Sequence, residues 1–234
     1  MLIIKTRSPD INGKLYIVAT PIGNLDDITF RAVEVLKNAD VIACEDTRRT
    51  GILLTRYNIK KPLISYFEHN EIKRTGRLLA FLKEGKAVAL VSDAGTPGIS
   101  DPGYRIIKEA IENEIEISAI PGPNAAITAL VLSGMPTDRF IFEGFLPNKK
   151  AARRKKLSEF KGEKRTIILY ESPYRVLAAL KDMEDIFGSM KVACVREATK
   201  MFEEVKRDTP ANLIAHFNER APKGEFVIVF NPRC

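Results

Sequence analysis

Three stretches of this sequence combine Gly and Pro with small polar residues in a way that suits backbone built to hold a ligand. They are Thr20-Pro21-Ile22-Gly23-Asn24, Ser92-Asp93-Ala94-Gly95-Thr96-Pro97-Gly98-Ile99-Ser100-Asp101-Pro102-Gly103 and Pro121-Gly122-Pro123-Asn124-Ala125. Gly lets a main chain approach a ligand closely, and Pro stiffens its path. Read as ordinary strand-to-helix turns, they need no ligand. Three at equivalent strand ends favour a site, because ligands of open α/β sheets bind beyond the carboxyl ends of the strands. Proton-transfer chemistry has its own candidates. Glu45 and Asp46 follow an apolar run and precede Arg48 and Arg49. They could serve as base or hydrogen-bond acceptor, or simply complement a helix N-terminus. His69 and Asn70, and Glu197 and Lys200 within Arg196-Glu197-Ala198-Thr199-Lys200, are further polar clusters after apolar runs. Tyr170-Glu171-Ser172-Pro173-Tyr174 is another; there Ser172 or Glu171 could cap a helix with Pro173 at its first position.

Other chemistries lack their signatures. Neither a GxGxxG nor a GxxxxGK[ST] pattern occurs, so dinucleotide and P-loop phosphate binding have no motif support. No Gly-x-Ser-x-Gly elbow is present. Cys44, Cys194 and Cys234 are three widely spaced cysteines beside only two histidines, which makes neither a disulfide framework nor a zinc cluster. Cys44 and Cys194 read instead as small buried hydrophobes in strands.

The elements that must position these loops follow from the apolar pattern. Strand-like runs at 14–19, 40–44, 62–66, 87–92 and 115–120 alternate with helical patterns at 29–37, 47–56, 71–83 and 103–113. That alternation predicts a mostly parallel sheet with helices on both faces, and Asp26 or Asp27 as the first helix's N-cap. The second half reads as helix 124–132, strand 139–145, basic helix 151–160, strand 165–170, helix 174–187, strands 191–196 and 202–206, helix 211–219 and strand 225–230. Two successive strands without a helix between them predict a mixed sheet. The expected domains are 1–121 and 122–234, both α/β.

Charge and composition narrow the function. Hydrophobic residues make up 45% of the 234, enough for a folded core. The longest apolar runs fall far short of the ~20 residues of a membrane helix, and the N-terminus shows no secretory pattern. A cytoplasmic protein with no membrane partner is expected. The net charge of +7 points to an anionic partner, nucleic acid first. Lys149, Lys150, Arg153, Arg154, Lys155 and Lys156 place six positive charges in eight residues. On a helix such a run is expected to stay out of the core, either as a solvated face or as a phosphate-binding surface.

Five motifs in order resemble one branch of the tetrapyrrole methylase superfamily. They are the run from Leu15 to Thr29, Cys44-Glu45-Asp46-Thr47-Arg48, Ser65-Tyr66-Phe67-Glu68-His69-Asn70-Glu71, the run from Val91 to Gly103, and the run from Ile120 to Ala125. Together they are similar to the ribosomal RNA small-subunit methyltransferase I group, which 2'-O-methylates a cytidine in the decoding region of 16S ribosomal RNA. The resemblance spans nearly the whole chain. It implies two α/β domains of tetrapyrrole methylase type, S-adenosylmethionine (SAM) in the cleft between them, a homodimer, and ribosomal RNA or the ribosomal subunit as partner. The corrin and porphyrin branch carries a Gly-Ala-Gly-Pro-Gly-Asp type first loop and a Gly-Asp-Pro core in the second. Here Thr20-Pro21-Ile22-Gly23-Asn24 and Ser92-Asp93-Ala94 stand instead, which argues against a tetrapyrrole substrate.

On that resemblance, cofactor contacts are expected from Pro21, Gly23, Asn24, Asp93, Thr96, Pro97, Gly98, Ser100, Asp101, Pro121, Gly122, Asn124, Ala125, Tyr170 and Glu171. Asp101 could alternatively cap the next helix. Methyl transfer needs the nucleophile aligned with the methyl carbon. It needs no metal, because the sulfonium is already a good leaving group. A ribose hydroxyl needs a base or strong acceptor nearby. Glu45, Asp46, Arg48, Glu197 and Lys200 are the candidates for that chemistry, and the basic run is the candidate for RNA phosphates. The alternatives are a tetrapyrrole C-methyltransferase and a non-catalytic RNA-binding protein.

Overall fold

The computed structural model describes residues 13–233. The chain divides into two compact units between Pro123 and Asn124. In the first, strands β1 (Lys14–Val18), β2 (Val41–Cys44), β3 (Leu63–Ser65), β4 (Val88–Val91) and β5 (Glu116–Ile120) form one sheet in the order β3-β2-β4-β1-β5. Every pairing is parallel. Helices α1 (Phe30–Asn38), α2 (Thr47–Arg56), α3 (Glu71–Lys83) and α4 (Tyr104–Glu112) make the crossovers.

Successive strand residues face opposite sides of a sheet, and both sides are apolar here. Tyr16, Val18 and Ile42 pack with Val35 and Leu36 of α1 and Leu54 of α2. Leu15, Ile17 and Leu90 pack with Leu78 and Leu82 of α3 and Ile106 of α4. Burial on both faces is why β1, β2 and β4 read as unbroken apolar runs rather than as alternating ones. Leu36, Leu78 and Ile106 are fully buried; each such side chain contributes about 1.5–3 kcal/mol on leaving water.

The expected cap of α1 is corrected. Leu25–Asp27 forms a separate 3-10 turn, closed by the Asn24 side chain accepting from the Asp26 N–H. Ile28 is extended, so the helix starts only after Thr29, whose hydroxyl accepts the Ala32 N–H at 3.1 Å. Asp26 and Asp27 therefore lie in the turn before the helix.

The second unit contains helices α5 (Ala125–Ser133), α6 (Lys150–Glu159), α7 (Val176–Phe187) and α8 (Pro210–Glu219). Its strands are β6 (Phe140–Phe145), β7 (Thr166–Glu171), β8 (Val192–Arg196), β9 (Glu204–Asp208) and β10 (Phe226–Phe230), in the order β6-β7-β10-β8-β9. The β6–β7 pair is parallel and the others are antiparallel, so the sheet is mixed, as two consecutive strands predict. Leu157, Leu180, Met183, Leu213 and Phe217 cover the face bearing Ile167, Leu169, Ile228 and Phe230. α5 packs against β7, β8 and β10. Cys44 and Cys194 are buried in β2 and β8; Cys234 lies outside the described residues. Pro173 is not the first residue of α7. The helix begins at Val176, its N-cap Arg175 makes no side-chain cap bond, and β7 runs on through Glu171.

Candidate functional site

The crossovers of the first unit set where a ligand can sit. From β1 the chain crosses one face of the sheet through α1, and from its neighbour β4 it crosses the opposite face through α4. Adjacent strands whose connections leave to opposite faces of the sheet leave a crevice beyond their carboxyl ends. The loops after β1, β4 and β5 meet there. Thr20 and Gly95 exchange backbone hydrogen bonds of 2.8 and 3.0 Å, and the Thr20 hydroxyl donates to the Ser92 carbonyl at 3.1 Å. A Cβ on Gly122 would stand 2.9 Å from that of Ala19, so the loop after β5 lies directly on the loop after β1. A Cβ on Gly95 would face Ile22 and the Pro123 carbonyl.

Pro21, Pro97 and Gly95 are buried, whereas Gly23, Asn24, Ser100, Pro121 and Gly122 are exposed at this edge; Asp93, Thr96, Gly98 and Asp101 are half-buried. Gly98 has φ of 84° and Gly103 of 145°, conformations that side chains resist. Asp101 does not cap α4: its N-cap is Gly103, without a side-chain bond. The Gly103 N–H is held instead by the Glu71 carboxylate at 2.9 Å. Sequence reasoning passed over Glu71, Thr20 and Ser92 as positioning groups, although all three lie inside quoted motifs. Asn24 and Asn124 use their side-chain oxygens as caps, Asn124 accepting from Ala126 and Ile127 of α5. Ala125 is half-buried in the first turn of that helix.

Next to this crevice, β2 ends in a carboxylate cluster. The Asp46 N–H donates to Asp93 Oδ1 at 3.0 Å, and the Asp93 N–H donates to the Glu45 carboxylate. This reciprocal clasp ties the end of β2 to the end of β4. Arg49 reaches the other Asp93 oxygen at 3.4 Å. Burial pushes the Glu45 carboxyl up, and the neighbouring Asp93 charge adds to it. Asp46 caps α2 by accepting the Arg48 N–H at 2.8 Å, and the Arg48 side chain holds its carboxyl well below the usual range. Arg48 itself is largely in solvent. Three of the five expected catalytic residues are thus brought together: Glu45, Asp46 and Arg48.

Glu197 and Lys200 belong to the second unit. The Lys200 ammonium lies 2.9 Å from Glu197 and 2.8 Å from Glu225, and Glu197 also accepts the Glu225 N–H. Their turn is strained, with φ of 50° at Glu197 and 66° at Thr199. Tyr170 meets Phe142 and Phe145 edge-on. The Glu171 side chain is only 1% exposed. One of its oxygens accepts the Ser172 N–H, and Arg175 lies 3.3 Å away. The other has no hydrogen-bond partner among the described residues. Burial pushes its carboxyl up.

The basic run requires a correction. Arg153 is 6% exposed and pairs with the buried Asp182 at 2.7 Å. Arg154 pairs with Asp182 and Asp185, and Lys156 with Glu143 and Glu159. These three bind α6 to α7 and β6, because the acids that complete the pairs sit on elements packed against the helix. Arg153 is thereby withdrawn from solvent, while Arg154 and Lys156 keep about a third of their side chains exposed. Lys149, Lys150 and Lys155 remain exposed, Lys150 within Coulombic reach of Asp185.

Residues 14–214 match the family described as Tetrapyrrole (Corrin/Porphyrin) Methylases. The chain is 49% identical over 219 residues to the ribosomal RNA small subunit methyltransferase I of Thermotoga maritima, covering 94% of this chain and 98% of that one. It is 53% identical to the protein of the same description from Synechocystis, covering 93% and 78%. Among solved structures, a cobalt precorrin-4 methyltransferase superposes with TM-score 0.72 at 21% identity, covering 94% and 95%. A diphthine synthase superposes with TM-score 0.72 at 16% identity, covering 93% and 89%. At those identities the two structures share the fold with this chain.

Proposed function

The chain belongs to the tetrapyrrole (corrin/porphyrin) methylase family, and within it to the ribosomal RNA small subunit methyltransferase I group; from that premise we propose that it 2'-O-methylates a cytidine in the decoding region of 16S ribosomal RNA. The observation that carries the reading is near-half identity over 94% of the chain to a relative of that description. SAM, when bound, supplies a methyl group on a sulfonium leaving group. The crevice residues suit such a donor: Gly95, Gly98 and Gly122 leave backbone where a Cβ would intrude or strain. Pro21, Gly23, Asn24, Asp93, Thr96, Pro97, Ser100, Asp101 and Pro121 on the same loops are assigned to it, with Asn124, Ala125, Tyr170 and Glu171 from the second unit.

Glu45 is the group we assign to receive the 2'-hydroxyl proton. It is half-buried, clasped in place, and raised toward neutral pH, where a carboxylate is a better base. Arg48 and Arg49 flank it as partners for RNA phosphate. Lys149, Lys150 and Lys155, exposed on the second unit, are likewise assigned to RNA phosphate. Glu197 and Lys200 shape the loop after β8. The enzyme is proposed to act in the cytoplasm as a homodimer; the exposed Ile127 and Val131, one turn apart on α5, are consistent with a covered face.

The test is a methyl-transfer assay offering small-subunit rRNA, assembled small subunits and tetrapyrrole precursors, with 2'-O-methylation mapped on rRNA from cells with and without the protein. A mark in the decoding region that vanishes with the protein supports the reading. Transfer to a tetrapyrrole carbon, or to nothing, overturns it.

A further inference from the structure

With Arg153 buried and Arg154 and Lys156 paired with acids, the second unit also gathers cations away from α6. The second unit has a concave basin at the amino-terminal ends of the parallel strands β6 and β7, about 440 Å³ in volume. Its walls are Arg139, Glu159, Lys161, Gly162, Glu163, Lys164 and Arg165. Four of these seven are cationic, against two carboxylates that each have a cation beside them. Glu163 accepts from the Arg165 guanidinium at 3.0 and 2.8 Å and from the N–H groups of Lys164 and Arg165. Glu159 lies 3.2 Å from Lys156. The side chains of Lys161 and Lys164 are exposed. Among the described residues, the charged atoms of Arg139 meet only Asp138, at 3.7 Å, with both side chains more than 70% in solvent.

The floor of the basin is fixed while Arg139, Lys161 and Lys164 keep their side chains exposed. Gly162, at φ of 81°, makes the turn after α6, and the Glu163 N–H donates to the Phe160 carbonyl at 3.0 Å. Phe160 is buried edge-on against Phe230. The Arg139 carbonyl accepts from Thr166 of β7, and the Lys164 carbonyl accepts from Asn231 just beyond β10. Favourable placement at the carboxyl end of α6 explains one cation; it does not explain several gathered from two chain segments around one cavity. A concavity lined mainly by one sign of charge concentrates counter-charge, and lysines on a rigid floor suit phosphate oxygens of varying position.

We propose that this basin grips the phosphodiester backbone of the RNA substrate. The proposal rests on the rRNA reading above and adds to it a site of contact. β7 runs from the basin at Thr166 to Glu171, about 17 Å at ~3.3 Å per residue. Contact here therefore adds affinity for a large substrate without touching the groups at the other end of that strand.

The test uses the full-length protein. Affinity for 16S rRNA and for assembled small subunits is measured at several salt concentrations, for wild type and for the triple variant Arg139→Gln, Lys161→Gln, Lys164→Gln. Each phosphate contact contributes about 0.7–0.9 to the slope of log affinity against log salt, so three lost contacts should flatten it by roughly 2 to 3. Across a fourfold rise in salt, wild type should lose on the order of 30-fold more affinity than the variant. KM for RNA should rise while kcat at saturating RNA, SAM affinity and Tm hold. The charge-keeping variant Arg139→Lys, Lys161→Arg, Lys164→Arg should restore the wild-type slope. Parallel salt lines for wild type and the Gln variant would retire the grip and leave the rRNA reading standing. Wild type that neither binds nor methylates RNA would remove both. Calorimetry with inorganic phosphate covers the remaining case: a phosphate heat lost in the Gln variant with an unchanged RNA slope makes this a small-anion site and overturns the proposal.

Discussion

Glu45 is raised by burial first and by the Asp93 carboxylate second, while Arg49 pulls the other way. A base works in its deprotonated form, so the rate should climb as pH rises through the raised Glu45 value. Glu45→Gln should lower kcat by about 10²–10⁴-fold with SAM affinity retained. Asp93→Asn keeps an oxygen for the Asp46 N–H but removes a negative charge, so the acid limb should move to lower pH. Arg49→Ala removes a positive charge and should move it to higher pH. Opposite displacements in kcat against pH would mark Glu45 as the titrating group; no movement in either variant would assign the base elsewhere. At the crevice, Gly122→Val puts a branched side chain where a Cβ alone would already be 2.9 Å from Ala19. Titration calorimetry should show SAM binding lost from a variant that still folds.

Helix α6 shows how a charged element can be internal. Arg153 and Asp182 are both almost out of solvent and are joined at 2.7 Å. Removing one partner of a buried pair strands the other charge, so Asp182→Ala should cost about 3–5 kcal/mol by denaturant unfolding. Changing Arg153, Arg154, Lys155 and Lys156 together to Ser should for the same reason destabilise the second unit, so weakened RNA binding by that variant would not identify a phosphate surface. Helix α1 offers a smaller effect. Thr29→Ala deletes its N-terminal cap and should cost about 0.5–2 kcal/mol, read as a lower Tm with methyl transfer intact.

Across the molecule, several carboxylates sit below their ordinary values because cations or N–H groups face them. Glu163 is held down to about 2 by Arg165, and Asp185 is lowered chiefly by Arg154. A group depressed in the folded state contributes stability above its unfolded pKa, near 4.3 for Glu, and loses it as pH falls through the folded value. Tm should therefore decline from about pH 4.5 toward pH 2, and Glu163→Gln should make that decline shallower. Glu45 and Glu171, raised by burial, work in the opposite sense: their protonation on acidification relieves a buried charge. An unchanged acid profile in Glu163→Gln would mean its pairing with Arg165 persists in the unfolded chain.

Much of this architecture was legible along the chain because its causes are local. Apolar runs of four or five residues in β1, β2 and β4, separated by amphipathic helices, require a sheet buried on both faces, and Gly and Pro mark the loops where β1, β4 and β5 stop. The order of five motifs was enough to indicate the family. What the sequence could not show depends on partners far away in it. Asp182 is 29 positions from Arg153 and Asp93 is 47 from Asp46. Only packing α7 against α6 turns a run of cations into a buried ion pair, and only laying β4 beside β2 sets the Asp93 charge beside the half-buried Glu45 carboxyl and so adds to its rise. The basin between β6 and β7 arises in the same way, from two segments whose charges are ordinary until the parallel pairing of those strands brings them around one cavity. Local pattern determined which elements form and where they end. Tertiary contact decided which charges are neutralised and which remain free to act, because a charge's energy depends on what faces it.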